Sequence, residues 1–246
     1  MNYHWNWHIF GEMSPDGVHT YFDTLAAGTA WTLATALSAW LIALVLGLVV
    51  GTARTLSNRS IVAVASAYVE LFRNIPLLVQ MFLWYFVMPE VLPARAGAWL
   101  KSMPNTAFIT AVLSLAFFTS ARVAVQVSAG IEALPRGLTL AATALGLTGA
   151  QAYRFIRLPI ALRLILPPLT SEFLNIIKNS SVALTIGLVE LTASARAIQE
   201  FSFQVFEAFS AATVIYLVIN IVVAFLMQRL EKKVAVPGYI GATAKR

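Results

Sequence analysis

The chain has 246 residues, of which 59% are hydrophobic and only 11% are charged, and its formal net charge is +6 at pH 7. Ordinary soluble domains have about 25% charged residues, so this composition and a mean hydropathy of +0.77 exclude a water-soluble globule and are typical of a helical membrane protein. Cysteine is absent from the sequence, which excludes disulfides, thiolate zinc sites and cysteine nucleophiles.

The first 23 residues contain three acidic side chains and no lysine or arginine, unlike the basic start of a cleaved signal peptide. We therefore expect this segment to remain in the mature protein. His4 and His8 have a four-residue spacing that can bind a metal on a helix, but the sequence shows no third ligand for them. We predict solvated or interfacial histidines here and no metal site.

Five apolar stretches follow, each long enough to cross a bilayer, which takes roughly 20 helical residues. They predict spans at residues 31–50, 61–87, 106–131, 158–188 and 209–227. Pro76 is expected to bend the second span, residues 89–104 are predicted to be a connecting loop, and residues 189–208 are predicted to form a short interfacial helix. The fold predicted over residues 1–246 is a single all-α membrane domain with five transmembrane helices.

Basic residues divide the connecting segments into two groups. Ten lie in the first loop, the third loop and the carboxyl-terminal tail, and three lie in the alternate segments. The larger group is Arg54, Arg59, Arg136, Arg154, Arg157, Arg229, Lys232, Lys233, Lys245 and Arg246, and the smaller is Arg95, Lys101 and Arg196. The positive-inside rule then predicts that the amino end is outside and the carboxyl end is in the cytoplasm. Since the charges cluster beside apolar spans, they do not indicate a nucleic-acid partner.

Charged residues inside spans cost at least about 2.5 to 3.5 kcal/mol at the bilayer centre, so they need partners or a wet path. Three polar stripes are predicted on helix faces: Glu70, Arg73, Asn74 and Gln80 in the second span, Thr119, Arg122 and Gln126 in the third, and Glu172, Asn175 and Asn179 with Lys178 in the fourth. One interpretation is that the charges form structural pairs or snorkel to the interface. The other is that they line a translocation path, where three cations and two acids would suit an anionic solute.

No phosphate-binding G-x-x-x-x-G-K-[ST] sequence occurs, so we expect this chain to be no enzyme by itself and to bind no cofactor. With no histidine beyond position 19, a Ser/His triad is improbable. An ion-coupled secondary transporter or channel remains an alternative function, although no inverted repeat is visible.

Residues 136–159 form a more polar stretch between apolar ones. Ala141 to Leu145 favour a helix, Gly146 loosens it, and residues 150–156 can form a second short helix that Pro159 closes. The spacing of Ala141, Ala142, Gly146, Ile156, Leu158 and Pro159 resembles the cytoplasmic EAA loop of ABC importer membrane subunits. Leu140 stands where that family has its glutamate.

Two further segments carry the same resemblance. Residues 68–80 (YVELFRNIPLLVQ) and residues 177–183 (IKNSSVA) are similar to signatures of polar amino acid ABC permeases. The WNW sequence at residues 5–7 and the five-span layout are most similar to glutamate/aspartate importers.

The resemblance implies a type I ABC importer permease fold in the bacterial inner membrane, surrounded by lipid. It implies a second permease subunit, related or identical, two ATPase subunits that bind ATP and Mg²⁺, and a periplasmic amino acid binding protein. Contact with the ATPase is expected from Ala141, Ala142, Gly146, Leu147, Arg154, Arg157 and Pro159. Candidates for the substrate path, by position, are Glu70, Arg73, Asn74, Gln80, Arg122, Glu172, Asn175 and Lys178.

Overall fold

The computed structural model describes residues 3–234, so Lys245 and Arg246 of the basic tail lie outside the described residues. Its helices are α1 (Tyr21–Ala53), α2 (Arg59–Asn74), α3 (Leu77–Phe82), α4 (Met88–Val91), α5 (Ala94–Ser102), α6 (Thr106–Glu132), α7 (Arg136–Ala144), α8 (Gly149–Ala152), α9 (Leu158–Leu164), α10 (Leu166–Asn179), α11 (Leu191–Ser202) and α12 (Val205–Val234). Two 3-10 helices, Trp7–Gly11 and Ser180–Ile186, and two π-helical turns, Leu83–Val87 and Tyr153–Arg157, complete the helical structure of these residues.

Within the described residues, α1, α6 and α12 are long and apolar enough to cross a membrane, and the number of candidate spans rises to five if each of two bent helix pairs is one span. The pairs are Arg59–Asn74 with Leu77–Val91, and Gly149–Leu164 with Leu166–Ile186. These candidates overlap the five spans predicted from hydropathy. The short helix predicted within residues 189–208 is α11.

The helix α1 begins ten residues before the predicted span because of a local hydrogen-bonded cap. The Thr20 hydroxyl accepts a hydrogen bond from the Asp23 amide at 3.2 Å, and the Asp23 carboxylate accepts one from the Thr20 amide at 2.9 Å. This reciprocal pair satisfies amide groups that a helix start leaves free. The helix therefore begins at Tyr21, in a segment that hydropathy alone does not include.

The predicted connecting loop at residues 89–104 is wrong, because most of it is helical. Pro93 precedes α5 and suits a helix start, since no amide is needed there. Gly97 lets α5 approach α4 closely, because a Cβ at Gly97 would lie 2.1 Å from the Pro89 carbonyl oxygen. Lys101 forms a salt bridge of 2.5 Å with Glu90 across the same pair.

Pro76 ends the helix instead of only bending it. Ile75, the residue before proline, is extended with φ −92° and ψ 126°, as steric contact with the proline ring favours. The helix α2 therefore stops at Asn74 and a new helix, α3, begins at Leu77. The predicted continuous polar stripe from Arg73 to Gln80 is wrong for this reason.

The chain divides into two compact units, of which the first contains residues 3–41, 76–116 and 175–222 among those described. Part of its core is a buried apolar cluster of Ile9, Tyr21, Leu25, Leu191, Ala195, Ile198, Ala208 and Ala212. Gly28 brings α1 against α11, since a Cβ there would lie 2.3 Å from Ser194 Oγ. The unit thus ties α1, α11 and α12 together.

The second unit contains residues 42–75, 117–174 and 223–234 of the described chain. A close contact in this unit joins α1 to α6: a Cβ at Gly47 would lie 2.4 Å from Val123 Cγ1, and one at Gly51 would lie 2.6 Å from Val127 Cβ. Such spacing of small residues lets membrane helices pack closely. The single-domain assignment remains a prediction.

Candidate functional site

The segment predicted to contact a partner ATPase begins with α7 and a tight turn. Gly146 has φ +79°, which L-residues rarely adopt. Its amide donates to the Thr143 carbonyl at 2.9 Å, and the Leu147 amide donates to the Ala142 carbonyl at 3.1 Å. These two hydrogen bonds form a Schellman motif, which satisfies the last carbonyls of α7. The predicted interruption at Gly146 is therefore a defined helix end.

The second helix of the segment begins at α8. Thr148 and Gln151 form a capping box, in which the Thr148 hydroxyl accepts from the Gln151 amide at 3.3 Å and the Gln151 side chain accepts from the Thr148 amide at 2.9 Å. The helical path then continues through the π-helical turn into α9 and ends at Leu164. The prediction that Pro159 closes this helix is wrong.

The π-helical turn explains why Pro159 is tolerated. Within a regular helix, a proline ring collides with the carbonyl four residues before it. Here the preceding residue, Leu158, donates its amide to the Tyr153 carbonyl in the wider π pattern, and Pro159 falls in the first turn of α9. The turn at Leu83–Val87 has the same arrangement: the Met88 amide donates to the Leu83 carbonyl, and Pro89 is the next residue.

The surface of this segment is partly apolar. Ala141, Gly146 and Arg154 are exposed, Leu147, Arg157 and Pro159 are half-buried, and Ala142 is buried. Leu140, Leu145 and Phe155 are 70%, 80% and 62% exposed. Large exposed apolar side chains in a polar segment indicate a contact surface for another protein. Sequence reasoning missed Leu145 and Phe155, although their size in a stretch outside the spans predicted from hydropathy is a usable signal.

Tyr153 and Arg157 connect the π-helical turn to other parts of the second unit. The Tyr153 hydroxyl lies 2.6 Å from the Thr55 hydroxyl in the turn between α1 and α2. The Arg157 guanidinium lies 5.6 Å from the centre of the Tyr153 ring and reaches the Ile131 carbonyl at 3.5 Å, near the end of α6. The segment is thus attached to two helix ends through side chains. No sequence pattern singled out Tyr153 or Thr55.

The structure brings together only some of the predicted path residues. On α2, Glu70, Arg73 and Asn74 are exposed, and Asn74 Nδ2 donates to the Glu70 carboxylate at 3.0 Å. Among the described residues, Glu70 makes no salt bridge with Arg73, so these two charges do not form a structural pair. Gln80 is buried on α3, past the helix break.

The stripes of α6 and α10 meet at one contact. Gln126 Nε2 donates to Glu172 Oε1 at 3.2 Å, while the Arg122 guanidinium is exposed and lies 4.8 Å from the centre of the Phe118 ring. In the part of the chain that the structure describes, Arg122 has no salt-bridge partner. Thr119 is buried and does not share this exposed face, while Asn175 and Asn179 are half-buried and Lys178 is exposed.

A buried carboxylate that sequence reasoning missed lies after the IKNSSVA segment. Glu190 is 0% exposed and caps α11, accepting from the amides of Thr192 at 2.9 Å and Ala193 at 2.8 Å. It also accepts from the Tyr216 hydroxyl at 2.8 Å on α12, and the Thr32 hydroxyl of α1 lies 3.5 Å away. Burial raises the pKa of the Glu190 carboxyl, and these hydrogen bonds oppose the rise.

Metal ligands do not cluster in the described residues 3–234, where no group of three or more His, Asp or Glu side chains is placed to hold an ion. His4 and His8, the pair with helical metal-binding spacing, are both exposed.

Residues 43–236 match the family described as binding-protein-dependent transport system inner membrane component. The chain is 45% identical to the glutamate/aspartate import permease protein GltJ of Escherichia coli strain K12, over 98% of this chain and 99% of that protein. It is 32% identical to the glutamine transport system permease protein GlnP of the same strain, over 78% of this chain and 84% of that protein.

Two solved structures have similar folds. One is an amino acid ABC transporter crystallised with histidines, which is 33% identical, covers 87% of this chain and 95% of its own, and has a TM-score of 0.75. The other is an inward-facing MetNI methionine ABC transporter, 20% identical over 91% of this chain and 100% of its own, with a TM-score of 0.71. The second supports the fold alone.

Proposed function

This chain belongs to the family of binding-protein-dependent transport system inner membrane components and is a membrane subunit of an ABC importer for polar amino acids, so we propose that it imports glutamate and aspartate. One observation carries the choice of substrate: the identity of 45% to a glutamate/aspartate import permease extends over 98% of the chain. Its fold is the type I ABC importer permease fold, in a multi-pass inner membrane protein.

The assembly proposed around this subunit follows from the family. It consists of a second permease subunit, related or identical, two ATPase subunits and a periplasmic binding protein that delivers the amino acid. ATP and Mg²⁺ would bind to the ATPase subunits, and this chain would bind neither. The distribution of basic residues supports an amino end in the periplasm and residues 141–159 in the cytoplasm.

The coupling role proposed for residues 136–159 rests on their exposed surface and on their attachments. Leu145 and Phe155 present apolar side chains that a groove of the ATPase could cover, and the exposed Arg154 could add a charge contact. Closure of the ATPase subunits would then move α7 and α8 together. The contacts of Tyr153 with Thr55 and of Arg157 with the end of α6 would pass this motion to the spans.

Substituting Tyr153 by phenylalanine tests this connection. The change removes a hydrogen bond of 2.6 Å, which contributes about 1 kcal/mol, and leaves the ring under Arg157 in place. We expect the assembled importer to hydrolyse ATP but to transport severalfold less amino acid per ATP. Tyr85→Phe in the other π-helical turn is the control, since Tyr85 makes no side-chain hydrogen bond among the described residues. Unchanged uptake per ATP in Tyr153→Phe would remove the connection from the mechanism.

Arg122 is the cation proposed to attract acidic substrates. Its guanidinium is exposed and forms no salt bridge among the described residues, so Arg122 is available to a substrate carboxylate. In the reconstituted importer, Arg122→Gln should lower glutamate uptake roughly tenfold at subsaturating substrate, and Arg122→Lys should lower it less.

Aspartate should compete with labelled glutamate more strongly than glutamine, histidine or arginine does. Stronger competition by glutamine or histidine would overturn the proposed substrate.

A further inference from the structure

A basic pocket of about 470 Å³ lies beside the coupling segment in the second unit. Three arginines, Arg54, Arg59 and Arg157, line it, and Glu132 is the single acidic residue in its lining. The three guanidinium groups come from the turn after α1, the start of α2 and the π-helical turn. The lining therefore has a net positive charge of +2 if all four side chains are ionised.

The positive charge of this pocket is not neutralised within the described residues. None of the three arginines forms a salt bridge there, with Glu132 or with any other acid. Arg54 Nη1 donates to Ser128 Oγ at 3.0 Å, but its Nε is buried and has no hydrogen-bond partner. A guanidinium presents a planar set of donors that matches the oxygens of a phosphate group. Three guanidinium groups in one pocket, none of them in a salt bridge among the described residues, therefore favour an anion.

The position of the pocket favours an anion that belongs to the membrane. Its residues lie where α1 and α6, two candidate spans, end and where α2 begins. Leu56, Val62 and Ala63 add apolar surface to the same lining. Basic pockets between the cytoplasmic ends of membrane helices are typical binding sites of lipid headgroups. We propose that this pocket binds the phosphate headgroup of an anionic phospholipid, such as phosphatidylglycerol.

Binding at this place would affect coupling. Arg157 belongs to the segment proposed to move with the ATPase, while Arg54 and Thr55 belong to the turn after α1. A headgroup held by Arg54 and Arg157 would brace the contact between Tyr153 and Thr55. Uptake therefore requires anionic lipid in the membrane. This consequence rests on the proposed function, whereas lipid binding itself does not.

The test measures lipid retention and transport separately. The complete importer is purified as wild type, Arg59→Gln, Arg54→Gln and Arg163→Gln, and is equilibrated in nanodiscs of phosphatidylglycerol and phosphatidylethanolamine. Native mass spectrometry then counts the phosphatidylglycerol that remains after detergent transfer. Arg163 is the matched control, because it is an exposed arginine of α9 that does not line the pocket. Uptake is measured in proteoliposomes with and without phosphatidylglycerol.

We expect retention of phosphatidylglycerol to fall roughly fivefold for each pocket arginine replaced, and to stay at the wild-type level in Arg163→Gln. Arg59→Lys should retain most of the lipid. Arg59 is exposed and has no hydrogen-bond partner among the described residues, so its variants remain informative if Arg54→Gln fails to fold.

Three results would overturn the proposal: equal retention in all variants, displacement of the lipid by inorganic phosphate at low concentration, or loss of the ATPase subunits from Arg59→Gln with lipid retention unchanged. The last would assign the pocket to a protein contact. Lipid retention in a complex that fails to transport glutamate would instead leave the site intact and refute the proposed substrate.

Discussion

Replacing Gly146 with valine is expected to abolish ATP-driven amino acid uptake while the protein still inserts into the membrane. A Cβ at this position would meet nothing within 4 Å, so the effect comes from the backbone and not from a clash. An L-residue at φ +79° is strained by about 1 to 2 kcal/mol, and a β-branched residue by more. Valine would therefore break the Schellman hydrogen bonds and let α8 change its orientation to α7.

The substitutions Gly146→Asn and Gly149→Ala are the controls for this prediction. Asparagine tolerates a positive φ, so Gly146→Asn should keep most of the uptake. Gly149 is the first residue of α8 and has open space around it, and alanine has a higher helix propensity than glycine. Uptake is measured in proteoliposomes, and insertion by the amount of protein in the membrane fraction. Normal uptake by Gly146→Val, at wild-type protein level, would refute the role of this turn in coupling.

Replacing Glu190 with alanine is expected to destabilise the protein by roughly 3 to 5 kcal/mol. The substitution removes the cap of α11 and leaves the half-buried amides of Thr192 and Ala193 without their side-chain acceptor. The Tyr216 hydroxyl also loses one of its two partners, the other being the Thr192 hydroxyl. Each unsatisfied buried donor costs about 1 to 3 kcal/mol, and the hydrogen bonds join three helices. The midpoint of thermal unfolding of the purified importer should fall clearly.

Two further variants show whether hydrogen bonding at Glu190 causes this loss. In Glu190→Gln one oxygen can still accept from Thr192 and Tyr216, but the amide nitrogen would face the Ala193 amide, so an intermediate loss is expected. Glu200→Ala removes an exposed salt bridge of 2.7 Å with Arg196 on the same helix, which contributes at most about 1 kcal/mol. An unfolding midpoint of Glu190→Ala equal to that of Glu200→Ala would contradict the argument.

Hydropathy predicted the spans because a helix that crosses the bilayer needs about 20 consecutive, mostly apolar residues, and hydropathy measures this property directly. It placed α6 within a residue of its observed bounds. It missed the start of α1, since the reciprocal hydrogen bonds between Thr20 and Asp23 depend on local geometry and on polar side chains. It missed α5 for a similar reason, because prolines near both ends of this segment resemble those of a loop.

The candidate site was predicted in part. The spacing of Ala141, Ala142 and Gly146 predicted two helices with a break between them, since a glycine after a helix-forming run is the usual signal for a helix end. The Glu190 contacts could not be predicted, because the bond to Thr32 joins residues 158 positions apart. No periodic pattern encodes such a pairing. The π-helical turns were not predicted, because a proline in a helical pattern usually indicates the end of the helix.

Each of these wide turns holds one residue more than a regular helical turn. The turn at Tyr153–Arg157 accommodates this extra residue without an offset in α9. With one residue deleted there, the helix could become regular and α9 would keep its rotation, but the ring of Pro159 would then collide with the carbonyl four residues before it. A kink or break, at a cost of about 3 kcal/mol, would follow. The additional amino acid is therefore what makes an uninterrupted helix compatible with a proline at this point.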